Sequence, residues 1–144
     1  MRHVWMRAVA LGAALLASAI LPAAEPAAKK AEIQGYCPVA YGLAHKAIMG
    51  KAEYASTVDG KLYYFASAQA KQAFDADPAK FRIAYDGFCA TNVALGRRVK
   101  SDPTLFVLRG GLTYLFSTTD AMRAFQADPA GTIAKADARW PRLK

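Results

Sequence analysis

The sequence predicts an α+β fold, a small single domain of two tandem β-hairpin-plus-helix units in a pseudo-twofold relation. Three observations carry this. Gly35-Tyr36-Cys37-Pro38-Val39-Ala40 is echoed by Gly87-Phe88-Cys89-Ala90-Thr91-Asn92, which holds the other of the two cysteines. At an offset of 51 residues Gly60 matches Gly111, Tyr63 matches Tyr114, Phe65 matches Phe116 and Ala73-Phe74 matches Ala124-Phe125, and further on Ala76-Asp77-Pro78-Ala79 matches Ala127-Asp128-Pro129-Ala130. Each copy also carries a hairpin signal, then a hydroxyl residue, an amphipathic stretch and Asp-Pro. Two copies are too few for an open solenoid, so they are expected to close on each other. The cysteines are 52 apart, which places one residue of slippage inside the repeat.

Taken in order, residues 1–24 read as an export signal. Arg2 and Arg7 precede an apolar run from Ala8 to Leu21, and Pro22-Ala23-Ala24 supplies a breaker and small residues for cleavage. The run is shorter than the roughly 20 residues of a spanning helix, so cleavage and a periplasmic or secreted location are expected, with no stable membrane span afterwards. Residues 25–32 read as a flexible leader with Pro26 and Lys29-Lys30, and residues 33–143 as the folded domain, its units falling at about 35–85 and 87–140.

In the first unit, Glu53 to Val58 and Lys61 to Phe65 flank Asp59-Gly60, a pair that tolerates the positive φ of a tight hairpin. Ser67 is then the N-cap of a helix running to about Asp77, with Ala70, Ala73 and Phe74 on one face and Pro78 as its stop. In the second unit Leu105 to Arg109, Gly110-Gly111 and Leu112 to Phe116 repeat the hairpin. Thr118 is the matching cap, Ala121, Ala124 and Phe125 the matching face, and Pro129 the matching stop. Phe65, Phe74, Phe116 and Phe125 are core candidates, and Asp77 and Asp128 are read as turn chemistry.

The formal charge is +8, and of the 19 basic residues 17 remain when Arg2 and Arg7 are set aside, against 11 acidic ones. The basic residues are scattered apart from Lys29-Lys30 and Arg97-Arg98-Val99-Lys100. Scattered charge reads first as a solvated face, although a basic exported protein can also touch anionic envelope surfaces. No aromatic residue interleaves the Arg97 cluster, so nucleic acid is not an expected partner. No nucleophile elbow, phosphate-binding glycine loop, His-Glu-x-x-His or Cys-x-x-Cys is present, and beyond the signal His45 is the one histidine. A non-enzyme is therefore expected.

Cys37 and Cys89 admit three readings. An even pair of cysteines in an oxidising compartment can form a disulfide, worth roughly 4 kcal/mol for a loop of about 50 residues. Two thiolates can instead hold a soft ion, copper(I) above all, with His45 and Met49 as the nearest further donors. Free or redox-active thiols are the third reading, weakened because neither a close second cysteine nor a local cation is evident.

Gly35-Tyr36-Cys37-Pro38-Val39-Ala40-Tyr41, Tyr64-Phe65-Ala66-Ser67, Phe74-Asp75-Ala76-Asp77-Pro78 with Phe81, Tyr85-Asp86-Gly87-Phe88-Cys89-Ala90 and Ala136-Asp137-Ala138-Arg139-Trp140-Pro141 together resemble the stand-alone bacterial YHS-domain proteins. The resemblance spans roughly residues 33–143. Such domains are related to the metal-binding TRASH domains and occur beside copper-handling ATPases and in multicomponent oxygenases, so the resemblance implies heavy-metal binding or sensing. Metal-binding versions carry Phe-Cys-Ser-x-x-Cys where this chain has Phe65-Ala66-Ser67-Ala68-Gln69-Ala70, with alanine at both cysteine positions. A four-cysteine zinc site within one chain is thus not expected. Many stand-alone members have Asp at the position of Cys37 and a cysteine matching Cys89. The resulting expectation is an exported heavy-metal-binding accessory protein that binds copper through Cys37 and Cys89, with a protein partner in metal handling and scope for a homodimer. The rival expectation is a disulfide-stabilised, non-catalytic interaction module of the periplasm.

Overall fold

The computed structural model describes residues 28–144. The expected export signal and the first part of the leader lie outside these residues. Among the described residues no helix is long and apolar enough to cross a membrane.

The fold is α+β and consists of the two expected units. In chain order they comprise α1 (Pro38–Ala44), β1 (Lys51–Val58), β2 (Lys61–Phe65) and α2 (Ala68–Ala76), then α3 (Ala90–Ala94), β3 (Asp102–Arg109), β4 (Leu112–Phe116), α4 (Thr119–Ala127) and α5 (Pro129–Arg139). Each hairpin is antiparallel and turns on two residues of positive φ, Asp59-Gly60 in one unit and Gly110-Gly111 in the other. That conformation matches the right-handed twist of the flanking strands. The register is irregular at the same place in both, between Lys51 and Ala55 and between Asp102 and Phe106. Ser67 Oγ accepts from Ala70 N and Thr118 Oγ1 from Ala121 N, so both hydroxyl caps act as expected.

Each unit opens with a feature the repeat does not announce, a short left-handed turn. Ile33, Gln34 and Gly35 have φ of 52°, 54° and 87°, and Tyr85, Asp86 and Gly87 have φ of 53°, 52° and 78°. A left-handed conformation costs a residue bearing Cβ about 1–2 kcal/mol, so Ile33, Gln34, Tyr85 and Asp86 must be held by their surroundings. The turns are closed by Tyr36 N donating to Ile33 O and Phe88 N donating to Tyr85 O, both at 3.0 Å. The next residue is then anchored, because Cys37 N donates to Ile48 O (2.8 Å) and Cys89 N to Val99 O (2.9 Å).

Each unit has its own core. Cys37, Val39, Phe65, Phe74 and Phe81 pack together in the first, and Cys89, Val93, Tyr114, Phe116 and Phe125 in the second. A third cluster joins them, built on Ile33, Tyr41 and Leu115 with Phe106 and Ile83 against it. Tyr41 is fully buried there, edge-on to Phe106 with ring centroids 4.8 Å apart, and its hydroxyl donates to Pro103 O at 2.8 Å. Burial pushes the Tyr41 phenol well above its ordinary pKa, so it remains a donor. The segment linking the units runs beside β4, where Thr113 N donates to Arg82 O and Ile83 bridges Thr113 in parallel.

One expectation is extended and one is corrected. Pro129 stops α4 but also begins α5, with Asp128 accepting from Gly131 N as its cap, whereas Pro78 opens a single 3₁₀ turn. A proline at the first helical position is preorganised for helix, so the same residue can end one and start the next. Ala124 is exposed, and Met122 joins Ala121 and Phe125 against the core in its place.

Replacing Tyr41 by Phe keeps the ring and leaves the Pro103 carbonyl without its donor. Denaturant unfolding of Tyr41→Phe is expected to show a loss of about 1–3 kcal/mol, the cost of an unsatisfied buried acceptor. Gly50→Ala is expected to destabilise by about 1–3 kcal/mol or more, since its Cβ would lie 2.5 Å from the Tyr64 carbonyl carbon.

Candidate functional site at the paired cysteines

The left-handed turns place Cys37 and Cys89 at equivalent positions, each the N-cap residue of the short helix that follows it. Both side chains are fully buried and both thiols are free. They belong to different packing clusters, Cys37 to the first unit's core and Cys89 to the second's.

Their surroundings differ in chemistry. The Cys89 sulfur accepts from Asn92 Nδ2 at 3.2 Å, and the same amide donates to Ser117 Oγ at 3.2 Å. Burial pushes the Cys89 thiol up. The polar groups of Ser117 and Asn92 beside the sulfur, the Asn92 amide bonded to it directly, more than offset burial and hold the pKa below the ordinary thiol value of 9.0. Neutral dipoles here do what a neighbouring cation or a long helix does at other activated thiols.

Cys37 has none of these donors. Ala40 stands where the second unit has Asn92, and Ala66 where it has Ser117. Cys37 instead forms part of the floor of an apolar groove of about 280 Å³ between α1 and α2, walled by Ala40, Ala70 and Ala73 and rimmed by Leu43 and Ile48. Leu43 and Ile48 are themselves exposed, at 58% and 37%.

The additional donors named from sequence lie elsewhere. His45 ends α1 in the left-handed conformation, its N–H closing onto Ala40 O, and its side chain is exposed. Met49 bridges Tyr36 in an antiparallel step and is 55% exposed, whereas Cys37 next to Tyr36 is buried. Neighbours along an extended segment point to opposite faces, so Met49 lies on the side away from the Cys37 sulfur. Among the described residues no group of three or more His, Cys, Asp or Glu side chains is placed to hold a metal ion.

Neither Asn92 nor Ser117 stands out in the repeat pattern as a functional residue. The signal that could have found them is the mismatch between copies, since each is a polar residue facing alanine beside an otherwise matched motif.

Compared with known protein families, with curated proteins and with solved structures, the chain has no match.

Removing donors to a thiolate raises its pKa. Asn92→Ala and Ser117→Ala are each expected to move the Cys89 titration upward in the Cys37→Ser background, read by thiolate absorbance against pH. The effect on stability has a definite sign. Because the folded pKa is depressed, the native thiolate favours folding above the unfolded value, and that contribution fades as pH falls through the folded pKa. Stability relative to Cys89→Ser should therefore increase as pH rises toward the ordinary thiol value of 9.0.

Proposed function

We propose that this protein is a metal-handling accessory domain that takes a soft cation, copper(I) foremost, on cysteine thiolate, with Cys89 as the leading ligand and Cys37 as the second. The observation that carries this reading is the polar setting of the buried Cys89 sulfur, which accepts from Asn92 Nδ2 with Ser117 on the same amide. Thiolate is the metal-binding form, and a site that depresses the thiol pKa lowers the cost of proton release when the ion arrives. Soft thiolate donors favour Cu(I) over hard cations. The motif resemblance to YHS-domain proteins points the same way. The role is capture and transfer of the ion, in which the buried Cys89 sulfur serves as a ligand. Export to the periplasm or beyond is part of the proposal, resting on residues 1–24.

Because the two sulfurs lie in different clusters, a two-coordinate site requires a second thiol to be brought to Cys89. Cys37 supplies it if the cores part, and Cys89 of a second copy supplies it if the protein pairs. Gel filtration of the loaded protein separates these routes.

A second reading, a non-catalytic interaction module, is favoured by the apolar groove above Cys37 with its exposed Leu43 and Ile48. One experiment divides the two. In a Cu(I) competition titration of the reduced protein, tight binding is expected, lost in Cys89→Ser. In Ser117→Ala it should weaken about tenfold, as for other residues that orient a metal ligand. Weak binding indifferent to both cysteines would overturn metal handling and leave the interaction module standing.

A further inference from the structure

The two basic clusters of the sequence are far apart in the chain and meet in the fold. A cleft of about 330 Å³ opens where the two left-handed turns come together, and Lys30 from the first cluster lines it with Arg98 and Lys100 from the second. Lys61 is the fourth cation at this cleft, and Glu32 and Asp86 are its acidic residues. Asp86 is already committed, since its carboxylate pairs with Lys61. Lys30, Arg98 and Lys100 form no ion pair with any described residue. The four cations and two carboxylates lining the cleft leave it with a formal charge of +2.

Arg98 is seated on an aromatic ring. Its guanidinium lies over the Phe88 ring, 4.5 Å from the centroid, and Phe88 packs in turn on Trp140 at 6.2 Å. A guanidinium over an aromatic face still has its fork of N–H donors for an acceptor, and that fork suits phosphate. The wall beside it is fixed, because Gln34 Nε2 donates to Ser101 O (2.7 Å) and Ser101 Oγ donates to Gly87 O (2.6 Å). Like charges gathered over low-dielectric walls in a concavity focus the field and raise the local concentration of a counter-ion.

We propose that this cleft binds a phosphomonoester, either a small soluble one or the monoester headgroup of a lipid, with Arg98 as the principal ligand and Lys100 and Lys30 completing the charge match. The match is one of charge and size. A monoester dianion cancels the +2, and the volume leaves room for a small organic part. The site is separate from the cysteines and does not depend on metal handling.

The test is titration calorimetry of the protein at low ionic strength with inorganic phosphate and with glycerol phosphate. Beside it runs co-sedimentation with phosphatidylcholine vesicles, with and without phosphatidic acid. Arg98→Gln combined with Lys100→Gln is compared with Arg123→Gln combined with Lys135→Gln, which removes the same charge away from the cleft. Binding that falls at least tenfold in the cleft variant and little in the control supports the site. If that loss is seen with the soluble phosphates, the ligand is a free monoester, and if it is confined to phosphatidic acid vesicles, the ligand is a headgroup. Absence of binding in every arm, or equal loss in both variants, would overturn it. Because all four substituted side chains are exposed, far-ultraviolet circular dichroism is expected to be unchanged in both variants.

Discussion

The left-handed turn ahead of each cysteine is the constraint on which the rest of the structure depends. It ends on a glycine at φ of 87° or 78° and delivers the next two residues as a short extended step. That step is pinned by the Cys37 and Cys89 amides donating to Ile48 and Val99. From there each cysteine side chain drops into its unit's core and the following helix begins. The strain of non-glycine residues at positive φ persists only because neighbouring structure over-determines it. Ile33 is buried in the joint between the units, and Tyr85 is buried in the second core with its hydroxyl donating to Asp137 at 2.8 Å.

The same backbone serves two chemistries. In the second unit Asn92 and Ser117 converge on the Cys89 sulfur, and in the first Ala40 and Ala66 leave Cys37 in apolar surroundings. Duplicated structure thus holds one thiol among donors and its twin on the floor of a groove. Further divergence appears beyond the second Asp-Pro, where α5 continues from Pro129 and lays Ala136 against the second core, while the first unit makes only a 3₁₀ turn after Asp77.

Legibility in the sequence follows the range of the forces involved. Asp59-Gly60 and Gly110-Gly111, the Ser67 and Thr118 caps, and the burial of Phe65, Phe74, Phe116 and Phe125 depend on a few residues in succession and are readable from them. Repeat matching places Ala124 inward because it assumes that both copies bury the same face, and the second helix turns Met122 inward instead. The helix from Pro129 is hidden because Asp-Pro signals a stop and a start equally well, and only the residues beyond it decide. The turns at Ile33 and Tyr85 are invisible for a stronger reason, since β-branched and aromatic residues argue locally against positive φ.

The sequence by itself determined the duplication, the two hairpins, their capped helices and the position of one cysteine at the head of each unit. These follow from turn residues, side-chain caps and apolar spacing, all local. Tertiary structure alone decided that Cys37 and Cys89 sit in separate cores, that Asn92 and Ser117 meet at one sulfur, and that Lys30 shares a cleft with Arg98 and Lys100. The cleft depends on how the units pack about Tyr41, Phe106 and Leu115, through contacts such as that of Tyr41 with Pro103, 62 positions away. The meeting of Asn92 with Ser117 depends on a contact 25 positions apart within one unit, and no local pattern encodes either.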